Sequence, residues 1–249
     1  MRVVDSRCQR ISSIDQWRSR IFDGTSKIRH WKRGRSAYSL AEFIMDRNGA
    51  AYLEERMSQV LSRHIKLEKA KPEYLAKFDP YPGNPSNLDL GVTGEVGQLN
   101  LRESLFVGIE SKVDESFGNT VGSRFSSAMK SREAGRNTNA PERVRDLLAK
   151  YFSAKGSPNS SRFADVRYQL LTGTAGTVAA PGKVSVFYIL VFKTSMYDAG
   201  KGSANQQDYA EFIEAARGRT LLRESESFRA DELVLDGKKL VCVYDHVSL

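Results

Sequence analysis

At 249 residues and 40% hydrophobic content, the chain is long enough for one large buried core. It has no apolar run near the roughly 18 residues that cross a bilayer, and no apolar leader after Met1-Arg2-Val3-Val4-Asp5, so a cytoplasmic protein that stays off membranes is expected. An excess of 38 Lys+Arg over 30 Asp+Glu gives a formal charge of +8, a balance that favours polyanions and nucleic acid first among them. Cys8 and Cys242, expected to be reduced in that compartment, and His30, His64 and His246 form no zinc-ligand motif.

In chain order, residues 13–22 predict a helix with Ile14, Trp17, Arg18 and Ile21 on one face. A basic run follows, in which Lys27, Arg29, Lys32, Arg33 and Arg35 surround Trp31. Such a run is either a phosphate-contacting patch or a solvated face, and Trp31 either stacks on a base or enters the core. A second helix begins near Ser36 and carries Leu40, Phe43 and Ile44. A third, after Asn48-Gly49, places Leu53, Met57, Val60 and Leu61 on one stripe. Together these helices are expected to cover one face of a sheet. Residues 79–85 read as a Pro/Gly loop preceded by a short strand at about 74–78.

Two apolar strands come next. In 88–92 the alternation puts Leu88, Leu90 and Val92 on one face and Asp89 on the other. In 105–113, Leu105, Val107, Ile109 and Val113 share a face, and Gly108, Glu110 and Lys112 share the opposite one. If the strands pair through the polar connection 93–104, Asp89 comes beside Glu110. Two carboxylates and an ammonium then converge, a hard-oxygen setting that suits Mg²⁺ or Mn²⁺. The alternative is an ordinary strand-surface ion pair. Charges that interrupt a buried strand are costly, and this separates Glu110-Ser111-Lys112 from the second acid-x-Lys triplet, Asp236-Gly237-Lys238, which reads as a hairpin turn. The glycine-rich 91–97 lacks the lysine of a phosphate loop, opens no helix, and reads as a turn.

Residues 119–139, with Arg124, Lys130, Arg132 and Arg136, predict a mobile, substrate-facing loop containing a short helix, or plain surface. Pro141 opens a helix with Val144, Leu147, Leu148 and Tyr151 inward, and 156–161 is a linker. A helix is expected over about 163–171, a central strand over 184–192, a helix over 208–217 and a terminal hairpin over 233–246.

Asp89 followed by Glu110-Ser111-Lys112 resembles the PD-(D/E)xK signature of the restriction-endonuclease-like nuclease superfamily, with Leu88 where the signature often has Pro. The chain is also similar to an uncharacterised bacterial domain family associated with that superfamily. That similarity is carried by Trp31, Gly34-Arg35-Ser36-Ala37, Leu40-Ala41, Asn87, Asp89, Lys112-Val113, Glu115, Phe117-Gly118, Thr120-Val121-Gly122 and Arg167-Tyr168-Gln169-Leu170-Leu171. The resemblance implies an α/β fold with an α-β-β-β-α-β core, a mixed sheet flanked by helices. One domain is expected, with its core at about 36–194 and a C-terminal helix and hairpin at about 195–249. It implies that Asp89 and Glu110 ligate Mg²⁺ or Mn²⁺, with the Ser111 carbonyl as a further ligand. Lys112 would orient or deprotonate the attacking water and stabilise developing charge. Glu42 is either an auxiliary acid or a solvated helix carboxylate, Glu115 either assists the metal or holds the following loop, and one of Arg167 and Gln169 faces the site. The expected function is hydrolysis of DNA phosphodiesters in restriction, repair or defence. The other readings are a catalytically silent nucleic-acid-binding module on the same fold, or a protein-interaction domain. Cutting both strands favours a homodimer, for which no coiled-coil pattern is present.

Overall fold

The run Val-Ser-Val-Phe-Tyr-Ile-Leu-Val-Phe offers water almost no polar face, so it has to be covered on both sides. In the computed structural model, which describes residues 1–83, 86–98, 101–216 and 219–249, it lies inside a nine-stranded mixed sheet. The elements are β1 (Arg2–Val4), β2 (Arg10–Ile11), α1 (Ile14–Trp17, continued by a wide turn over Arg18–Phe22), α2 (Ser36–Asp46), α3 (Gly49–Leu61), β3 (Ile65–Ala76), β4 (Ser86–Gln98), β5 (Leu101–Lys112), α4 (Val121–Glu133), α5 (Ala140–Phe152), α6 (Tyr168–Ala179), β6 (Val184–Lys193), α7 (Ala199–Ala216), β7 (Thr220–Ser225), β8 (Phe228–Leu235) and β9 (Lys238–Ser248). The sheet order is β2-β1-β3-β4-β5-β6-β9-β8-β7. β3, β4 and β5 alternate antiparallel, β5–β6 and β6–β9 are parallel, and β8 and β7 return antiparallel.

Two apolar layers sandwich this sheet. Leu40, Phe43, Leu53 and Met57 of α2 and α3 pack on Leu90, Val92, Val107 and Tyr188, as the helical stripes predict. Phe125, Leu148, Leu171 and Phe212 of α4 to α7 pack on Phe106, Phe187 and Val191 on the other face. Asp236 and Gly237, at φ 51° and 73°, make the expected left-handed turn between β8 and β9.

Several expectations are corrected. The helix assigned to 163–171 starts only at Tyr168 and runs to Ala179. Its Thr- and Gly-rich sequence is a weak helix former, and packing decides the outcome, since every residue from Leu170 to Val178 is buried. The Thr174 and Thr177 hydroxyls donate to the carbonyls of Leu170 and Gly173, both at 2.8 Å. Residues 93–104 are no polar connection and 91–97 no turn: β4 continues to Gln98 and β5 resumes at Leu101. Gly94 sits in this strand because a side chain there would strike the Lys66 carbonyl, beside a register shift at Leu67/Lys69. The short strand at 74–78 is the end of the longer β3. Within 119–139 lies a thirteen-residue helix, anchored by buried Val121, Phe125 and Ala128 and by an Arg132–Glu142 ion pair. The helix assigned to 208–217 begins at Ala199, and Arg217 falls outside the described residues, as do 84–85 of the loop. Cys8 and Cys242 are free thiols. No helix among the described residues is long and apolar enough to cross a membrane.

Candidate active site

The β4–β5 ladder runs from Gln98↔Leu101 to Leu90↔Ile109 and stops there. Continuing that register would set Asp89 opposite Glu110, so the two carboxylates stand where the strands part. The alternation expected for 88–92 breaks at the same point: Leu88 joins the α6 face, whereas Leu90 and Val92 keep to the face of α2 and α3. In the opening, Asp89 Oδ2 accepts the Ser111 backbone N–H and its hydroxyl, both at 2.8 Å. With both hydrogen bonds on one oxygen, Oδ1 has no hydrogen-bond donor among the described residues.

Glu110 and Lys112 both project toward α6, whose first turn completes the cluster. Lys112 Nζ donates to Glu110 Oε1 at 2.8 Å and to Gln169 Oε1 at 3.1 Å, while Gln169 Nε2 donates to the same Glu110 oxygen at 2.6 Å. The Lys112 and Glu110 side chains are only 7% and 3% exposed, and the ammonium lies 5.2 Å from the centre of the Phe117 ring. Burial, reinforced by Asp89, pushes the Glu110 carboxyl up to about 8, and burial also raises Asp89. For Lys112 burial acts downward, but the carboxylates of Glu110 and Asp89 outweigh it and the net shift is upward, so the amine is an ammonium. Glu115 is the third residue beyond β5. Burial acts upward there, but the Val113 N–H at 3.0 Å and the Ser36 hydroxyl at 2.8 Å prevail and hold its carboxyl below the usual range.

A third acid, Glu73, escaped the sequence reading. It lies in β3 with φ 51°, a left-handed conformation rarely taken by a non-glycine residue, immediately after Pro72. Its Oε2 accepts from Lys27 Nζ and from Asn87 Nδ2, and its charge contributes to the raised pKa of both Asp89 and Glu110. The signals were Pro72, which breaks a strand pattern, and Asn87, already part of the family resemblance.

Gln169 thus faces the site, while Arg167 turns away to Asp208 (2.8 Å) and the Gly118 carbonyl (2.9 Å). Glu42 pairs with Arg47 at 3.2 Å and makes no bond to Asp89, Glu110 or Lys112. α2 contributes Ser36 instead. The basic run is laced to the edge of the site by Lys27–Glu73 and by Arg35–Asp114 at 3.5 Å. Trp31 is a packing residue, wedged between Phe22 and Tyr38 at centroid distances of 4.7 and 5.6 Å. Arg29, Lys32 and Arg33 are exposed and have no acidic partner among the described residues.

Glu110 and Gln169 open onto a cleft of about 420 Å³ whose walls also include Asn87, Asn119, Arg124 and Tyr168. A larger hollow of about 580 Å³ lies at the opposite end of β4 and β5, where Glu95 is already paired with Arg102. Lys66 and Glu95 line it, but Glu95 is only half-buried and is spent on Arg102, whereas Glu110 is buried with Lys112, so the smaller cleft is the chemical candidate. No group of three or more His, Cys, Asp or Glu side chains is gathered for a metal ion among the described residues. Magnesium commonly takes one or two carboxylates and keeps several waters, so the free oxygens of Asp89 and Glu110 fit such an ion.

No curated protein and no solved structure matches the chain. One family model, described as Domain of unknown function (DUF6946), matches residues 10–244. That span takes in all the strands and helices from α1 to β8 and the whole candidate site, and the chain therefore belongs to the DUF6946 family.

Proposed function

We propose that the chain is a metal-dependent nuclease that hydrolyses DNA phosphodiester bonds in restriction, repair or defence against foreign DNA. The observation that carries this reading is the meeting of Asp89, Glu110, Lys112 and Gln169 where β4 and β5 part, beside an open cleft. Support for a restriction-endonuclease-like core comes from the strand order β3-β4-β5-β6, with α2 and α3 before it and α6 entering between β5 and β6.

Asp89 and Glu110 would hold Mg²⁺ or Mn²⁺ through their free oxygens, with the Ser111 carbonyl as a further ligand. Once bound, the ion supplies an activated water and neutralises charge on the phosphate. Ser111 fixes the rotamer of Asp89 through two hydrogen bonds. Gln169 is a positioning residue that fixes Glu110 and Lys112 together. The Lys112 ammonium stabilises negative charge that develops on the phosphoryl oxygens, in a buried setting where such an interaction counts for more than in water.

Incubation with plasmid, linear duplex, single strands and RNA, in Mg²⁺, Mn²⁺ or chelator, tests the proposal. Metal-dependent cutting that Asp89→Ala lowers by about 10²-fold or more is the expected result. Binding with no cutting would instead favour a silent nucleic-acid-binding module, and neither activity an interaction domain.

The pH profile has a definite sign. In the metal-free protein Glu110 retains its proton to about pH 8, and a metal ligand must shed it, so metal uptake, and cleavage with it, rises with pH through an inflection that the bound cation draws below about 8. Glu73→Gln removes a neighbouring negative charge and moves that inflection downward, as read from initial rates across pH. Stability runs the other way: folded Glu110 keeps a proton that the unfolded carboxyl releases above about 4.5. Its contribution is therefore full below that pH and lost as pH rises through about 8.

A further inference from the structure

The cleft has a second chemical wall. Arg124 of α4 is exposed on it, with neither an ion-pair nor a hydrogen-bond partner among the described residues. Three other arginines of α4 and α5 are engaged: Arg132 and Arg145 with Glu142, and Arg143 with Asp79. Tyr168, at the start of α6, lines the same cleft, and its hydroxyl likewise has no partner. Burial pushes that hydroxyl up to about 12, so it is a neutral donor, and Arg124 lies close enough to act on it in the opposite direction. The exposed Asn119 lines the same cleft. The lining therefore combines an exposed cation, Arg124, a tyrosine ring and a buried carboxyl, Glu110.

A wholly apolar ligand would leave Arg124 and two polar groups unused, and a bare anion would leave the Tyr168 ring without a contact. An anionic group joined to a flat, uncharged ring uses both Arg124 and the Tyr168 ring. A volume of about 420 Å³ is near the lower end for small-molecule pockets, suited to one nucleotide and not to a stacked base pair within a duplex. Stacking on a tyrosine together with an arginine on the backbone is a means by which proteins hold single strands without sequence preference. We infer that the cleft binds one unpaired nucleotide, with its phosphate on Arg124 and its base against Tyr168. The substrate then enters as a single strand or frayed end, in preference to intact duplex. The biological sense of this binding rests on the nuclease reading, but the binding itself does not require cleavage.

The test measures fluorescence anisotropy of a labelled oligothymidylate, and of a duplex of equal length, in chelator so that no cutting occurs. The expected result is single-strand binding at least about tenfold tighter than duplex binding. Arg124→Ala should lose about tenfold and Tyr168→Leu should lose the preference for single strands, while Arg223→Ala on β7 controls for the loss of one charge. Arg124 is exposed, so its variant should melt like the parent. Equal affinity for the two forms, or an Arg124→Ala variant that behaves as Arg223→Ala does, would overturn the inference. Tight, Arg124-dependent single-strand binding in a protein that never cuts would sink the nuclease reading and leave this one standing.

Discussion

Replacing Lys112 with methionine is expected to lower metal-supported cleavage by about 10²–10⁴-fold while the protein stays folded. The methionine keeps an unbranched stem of similar length against the Phe117 ring and removes only the charge. Glu110 then loses the donor at 2.8 Å and retains Gln169 at 2.6 Å, so its carboxyl is still hydrogen-bonded and can stay neutral. A thermal melt close to that of the parent, together with the loss of single-turnover cleavage, is the predicted pair of measurements. Cleavage that persists within threefold of the parent would remove Lys112 from the chemistry and leave it as a buried counter-ion. Lys112→Arg should fail as well, because a planar guanidinium cannot occupy the compact space between Glu110 and Gln169.

Gly108→Val should damage the fold strongly without touching any acid of the site. Gly108 faces α6, and a Cβ there would drive into Thr177 Oγ1 and come within 2.9 Å of Leu88. Thr177 cannot swing away cheaply, because its hydroxyl is bonded to the Gly173 carbonyl within the stretch of α6 that is buried from Leu170 to Val178. Overpacking of this kind costs about 3 kcal/mol. For a chain of this size that corresponds to a fall in Tm of about 6–12 °C by calorimetry. The helix pushed outward is the one that carries Gln169, so the hydrogen bond to Glu110 should be lost with it. A variant that melts within two degrees of the parent would mean that α6 floats on the sheet and does not set the site.

The pairing of charge with pattern made the centre of the site legible from sequence. An acid and an acid-x-lysine triplet interrupt strands that are otherwise apolar, and a helix placed after them contributes Gln169. Helices α2, α3 and α5 were legible because their stripes carry large aliphatic and aromatic residues at helical spacing. Glycine misled the reading in two directions. In β4 it marks close approach to a neighbouring strand, and in α6 it marks close approach to the sheet, yet in sequence both look like turns or weak helix. Glu73 was hidden for a different reason. Its place in the site depends on a left-handed backbone kink after Pro72, and strict alternation carries no such information. Trp31 could not be assigned from its basic neighbours, because only the fold brings Phe22 and Tyr38 to either side of it.

The strand that flanks β6 on the side away from β5 is β9, which arrives some forty residues later in the chain. A nascent chain on the ribosome therefore holds its most apolar segment with one flank bare until residues 238–248 have been synthesised. Any truncation before that point leaves an adhesive edge at the heart of the sheet, and such fragments should be found in inclusion bodies.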